Sequence, residues 1–121
     1  MKSEVRKAQG SSEFETPERC SILEIANDEG DEQVSISRAR VSVGVTTEWH
    51  KLTTDERYII ASGSGRVEIG NDATDVESGD VVRIAAGMRQ RITNTGDGDL
   101  LFFCVCTPRF TVAAYQSLDK E

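Results

Sequence analysis

Ten glycines fall almost entirely in the gaps between short runs of β-like composition, and this rhythm constrains the fold more than any other feature. The runs cover residues 20–25, 34–43, 57–61, 66–69, 74–77, 81–84, 90–93 and 100–106. Turn clusters such as Asn27-Asp28-Glu29-Gly30, Ser62-Gly63-Ser64-Gly65 and Gly70-Asn71-Asp72 close them. About eight to ten short strands with regularly spaced turns predict an all-β sandwich or barrel. Apart from a turn after Pro108, no stretch has the apolar periodicity of an amphipathic helix.

A chain of 121 residues suffices for one core. The polar, mixed-charge stretch ending at Pro17 reads as an N-terminal arm over residues 1–17, ahead of a β domain over 18–121. The longest strongly apolar run, residues 100–106, is far short of the roughly 20 residues that span a bilayer. The first residues have no apolar core of a secretory signal, so a cytoplasmic location is expected. A net charge of −7 repels phosphate backbones and predicts no nucleic-acid partner. The Lys and Arg residues are scattered, which predicts no membrane partner. Of three cysteines, Cys104 and Cys106 lie two apart in one predicted strand, where they face the same way and cannot readily bond to each other.

Two stretches carry a spaced pattern. The first runs Gly44, five residues, His50, Lys51, Leu52, three residues, Glu56, six residues, Gly63. The second runs Gly79, five residues, Ala85, Ala86, Gly87, two residues, Gln90, three residues, Asn94. Both resemble the paired motifs of the cupin superfamily in spacing and order. Leu52 stands where that family has its second histidine, Ala85 where it has a proline, and Gln90 where it has its third histidine. The resemblance implies a single-domain cupin jelly-roll β-barrel, also called a double-stranded β-helix. Strand parity agrees: His50, Leu52, Glu56, Tyr58 and Ile60 alternate onto one face, with a bend expected at residues 53–55.

In cupins the motif positions point into the barrel and hold a divalent metal. Carried over, the resemblance implies His50, Glu56 and Gln90 as the metal-ligating set, for an ion such as Mn, Fe, Ni or Zn. Leu52 has no lone pair to give. His50 is the only histidine, so no multi-histidine site can form within one chain. An imidazole, a carboxylate and an amide oxygen favour harder ions such as Mn²⁺ over zinc or copper. The alternative is a degenerate site, in which His50 and Glu56 form a hydrogen-bonded pair completed by Gln90, and Leu52 and Met88 make the cavity more apolar. Cys104 and Cys106 face either the core or the cavity. Arg38 and Arg40 would orient an anionic substrate if they point inward, and otherwise lie on a solvated face or a dimer seam. Trp49 is expected to face away from His50.

Two functions follow. One is a barrel with a degenerate metal site that binds a small organic ligand. The other is a divalent-metal-dependent cupin enzyme, a dioxygenase, isomerase or lyase. The sequence assigns no catalytic residue. The resemblance also implies a homodimer, paired through sheet faces or exchanged N-terminal strands.

Overall fold

A computed structural model of the chain describes residues 1–8 and 11–119. Positions 9, 10, 120 and 121 of the expected arm and domain lie outside the described residues. Eleven strands are present among them: β1 (Phe14–Glu15), β2 (Ser21–Ala26), β3 (Ser35–Val41), β4 (His50–Leu52), β5 (Asp55–Ser62), β6 (Ser64–Ile69), β7 (Asp72–Glu77), β8 (Val81–Ile84), β9 (Gln90–Asn94), β10 (Leu100–Thr107) and β11 (Tyr115–Ser117). The turn after Pro108 is a short 3-10 helix, Val112–Ala114. The predicted runs all became strands. Three very short strands, β1, β4 and β11, were not read as separate elements.

The strands form two antiparallel sheets that face one another. One has the order β1-β2-β3-β10-β5-β8 and the other β11-β4-β9-β6-β7. Alternation decides which side chains point inward. On β10, Leu100, Phe102, Cys104 and Cys106 are buried while their neighbours are only partly so. Ala39, Val41, Tyr58, Ile60, Val82 and Ile84 join them from the same sheet, and Val67 and Ile92 come from the opposite one. Burial of these side chains is the main favourable contribution to folding.

Register then fixes what meets what. Along β10, Phe102 lies opposite Ile60, Cys104 opposite Tyr58, and Cys106 opposite Glu56. Across the barrel, His50 of β4 pairs directly with Gln90 of β9. The turn at Gly63 carries the chain from β5 in one sheet to β6 in the other with φ of +90°, and a Cβ there would stand 2.7 Å from the Asp99 carbonyl oxygen. Only glycine fits that combination without strain. At Gly87, φ is +83° and the amide donates to the Leu52 carbonyl at 2.8 Å, which ties the entry of β9 to the end of β4.

Candidate functional site

A cavity of about 160 Å³ lies between the sheets. His50, Leu52 and Ile92 line it from one sheet, and Glu56, Tyr58 and Phe102 from the other. The expected shared face is therefore real: His50, Leu52, Glu56, Tyr58 and Ile60 are all buried.

Each polar group is held in a particular way. The His50 ring donates from Nδ1 to the Glu48 carbonyl oxygen at 2.8 Å, which leaves the Nε2 lone pair free in the neutral ring. Tyr115 stacks on the same imidazole, with ring centroids 5.0 Å apart and planes 16° from parallel. Tyr115 is fixed in turn by its hydroxyl, which donates to Glu48 Oε2 at 2.5 Å. Burial, with Glu48 beside it, pushes the Tyr115 hydroxyl pKa upward. Tyr58 donates its hydroxyl to Gln90 Oε1 at 2.5 Å, a bond that links the two sheets, although Gln90 itself does not line the cavity. Burial holds the Tyr58 hydroxyl pKa well above its ordinary value.

Glu56 is 7% exposed and carries the least satisfied polar group of the site. Its Oε2 accepts a long contact from the Cys106 thiol at 3.7 Å, while Oε1 has no protein partner. Burial raises the carboxyl pKa to about 7, and the nearby Gln90 side chain and Cys106 thiol offset only part of that rise.

The cysteines settle into the cavity wall. Cys20, Cys104 and Cys106 all line it, and each is a free thiol. Burial pushes Cys20 and Cys106 up to about 12 and Cys104 well above its ordinary value, so these thiols are poor nucleophiles at neutral pH. Cys104 also belongs to the core cluster.

Several expectations need correction. His50 and Glu56 do not form a hydrogen-bonded pair: His50 turns Nδ1 to a backbone carbonyl and Glu56 turns to Cys106. Met88 does not make the cavity more apolar, because it belongs to the turn before β9, is 41% exposed and packs toward Gly70. Of the two alternatives for Arg38 and Arg40 the outward one holds, and it needs no correction. Both hold Glu13 of the N-terminal segment, at 3.1 and 2.6 Å. Trp49 does face away from the cavity, between the Arg89 and Arg91 guanidiniums at 4.3 and 4.4 Å. Phe14, read as part of the arm, and Glu18, just after it, line the cavity as well. Tyr115 went unnoticed because its segment shows no strand alternation in the sequence.

A family model described as "Cupin domain" matches residues 37–106, more than half of the chain. The chain belongs to the cupin domain family. Among curated proteins this cupin is 32% identical over 78 residues to the uncharacterized protein MJ1618 of Methanocaldococcus jannaschii. The match covers 64% of this chain and 62% of the relative, so the cupin spans less than two thirds of that relative's length. Among solved structures it is similar to Pac13, a nucleoside dehydratase from Streptomyces, with a TM-score of 0.80 at 14% identity over 97% of this chain and 92% of the other. It is also similar to a predicted oxalate decarboxylase from Thermotoga maritima, with a TM-score of 0.78 at 20% identity over 87% and 99%. A conserved protein with a double-stranded β-helix domain from Klebsiella pneumoniae gives 0.77 at 15% identity over 98% and 100%. At these identities the structures establish the shared double-stranded β-helix fold. Among the described residues, no helix is long and apolar enough to cross a membrane.

The donor set of this cupin does not suit the divalent ion that the family implies. Leu52 supplies nothing, and Gln90 Oε1, the one metal-capable atom of its side chain, already gives one of its two lone pairs to the Tyr58 hydroxyl. Among the described residues no three His, Cys, Asp or Glu side chains converge to replace what is lost.

Proposed function

We propose that this cupin binds a small organic molecule in the barrel cavity without a metal ion, through the remnant of the family's metal site. The observation that carries this reading is the Tyr58–Gln90 hydrogen bond, which engages one of the two lone pairs of the oxygen a metal would need, beside a Leu52 that offers none. His50 Nε2 and the unpartnered Glu56 Oε1 then remain as the polar groups open to a ligand. A mostly apolar cavity with a few fixed polar groups is the usual form of a ligand site. At about 160 Å³ it is smaller than the roughly 300–1,000 Å³ common for drug-sized ligands, which suits a small metabolite. Pac13, solved with uridine, is a similar barrel that takes a small organic molecule.

The test is a thermal-shift screen of small metabolites in the presence of EDTA. Ser37 lines the cavity and is only partly buried, so Ser37→Phe can obstruct the cavity with little damage to the core. The expected outcome is stabilisation by at least one compound that persists in EDTA and disappears in Ser37→Phe. Stabilisation that appears only when a divalent ion is added would favour the metal-dependent enzyme instead.

A further inference from the structure

The charge pattern around the cavity is one-sided. Glu18, Glu24 and Glu56 line it, and among the described residues no Lys or Arg does. The guanidiniums on β3 that could have balanced them, Arg38 and Arg40, are on the outer face of the sheet, engaged by Glu13. One of the three carboxyl groups, Glu56, is more than nine-tenths buried with an oxygen that accepts no hydrogen bond among the described residues. Leaving a buried polar atom unpaired costs on the order of 1–3 kcal/mol, so a donor supplied from outside the protein is favoured there. The rest of the wall includes the aromatic side chains of Phe14, Phe110 and Tyr115. Aromatic faces attract cations through their quadrupole, and carboxylates at the cavity raise the local concentration of positive ligands and repel anions.

We propose that the cavity takes a small organic cation, an amine whose ammonium group donates to Glu56 and whose apolar body contacts the aromatic wall. This inference rests on the ligand-binding reading above and names the class of ligand. It is opposite in sign to what inward-pointing Arg38 and Arg40 would have selected.

Three probes of one shape separate charge from shape: benzylamine, benzyl alcohol and benzoate. Each is titrated near neutral pH into the full chain, followed by amide resonances of β4, β5 and β9. Benzylamine is expected to bind about tenfold more tightly than benzyl alcohol, the effect of roughly one favourable charge contact, with benzoate weakest. In Glu56→Gln the amine preference falls to near unity. Should that variant fail to fold, Glu18→Gln, at a half-buried position of the cavity wall, is expected to reduce the preference in the same direction. Equal affinity for amine and alcohol, or tightest binding of benzoate, would overturn the cation assignment and leave ligand binding standing. No perturbation by any of the three would overturn the assignment and count against the ligand-binding reading too.

Discussion

Glu56 is where the residue-scale account can be measured without knowing the ligand. Its carboxyl pKa lies at about 7 in the folded chain against an ordinary 4.5, chiefly because of burial. A raised acid pKa means that the folded state holds its proton more firmly than the unfolded state does. The contribution to stability is therefore fully present below about pH 4.5 and is lost as pH rises through about 7. A shift of that size corresponds to on the order of 3 kcal/mol across the window. Urea unfolding of the wild type should show stability falling between those pH values, and Glu56→Gln should remove most of the slope. Parallel pH profiles for the two proteins would contradict the burial of an ionisable Glu56. At the same scale, His50, Glu56 and Gln90 were singled out by the resemblance of two spaced stretches to the cupin motifs, and strand parity placed His50 and Glu56 on one face. The Tyr58–Gln90 bond was not legible, since it joins two strands in opposite sheets and depends on how far apart the sheets stand. Met88 was misread because proximity to β9 in sequence says nothing about where a turn residue points.

Strands and turns show the same division. The runs at residues 34–43, 57–61 and 100–106 were readable because each combines β-branched or aromatic composition with flanking turn residues. β1, β4 and β11 have two or three residues each, too few to display alternation, and they exist because neighbouring strands offer them partners. β11, for instance, pairs with β4 through Tyr115 opposite Leu52 and Ser117 opposite His50. The glycine turns give a test at this scale. Gly63 combines φ of +90° with 2.7 Å from its built Cβ to the Asp99 carbonyl oxygen, while Gly79 has φ of +96° and open space around it. Gly63→Ala should cost roughly 2–4 kcal/mol, from backbone strain and overpacking together. Gly79→Ala should cost about 1–2 kcal/mol, from strain alone. Denaturant midpoints of the two variants check the order, and an equal or reversed cost would show that the turn at Gly63 relaxes.

Over the whole molecule, two sheets meet at a cavity whose far wall includes part of the N-terminal segment, through Phe14 and Glu18. The outer face of the six-stranded sheet carries Ile59 and Val81, register partners on β5 and β8 that are 41% and 58% exposed. Covering such a pair with the same face of a second copy is consistent with the homodimer expected from the sequence. Light scattering should then give about twice the 13.3 kDa chain mass, and Val81→Lys should return it to one chain. A single-chain mass for the wild type would contradict the dimer. The barrel was legible as a whole because two spaced motifs demanded it. The chemistry of its interior was less so, since it depends on which of a few buried oxygens are already taken.

Elemental analysis of untagged, dialysed protein tests the proposal that this cupin's pocket works without an ion. Far less than one divalent ion per chain is expected, with no difference between the wild type and His50→Ala. Stoichiometric metal in the wild type that is lost in His50→Ala would contradict it.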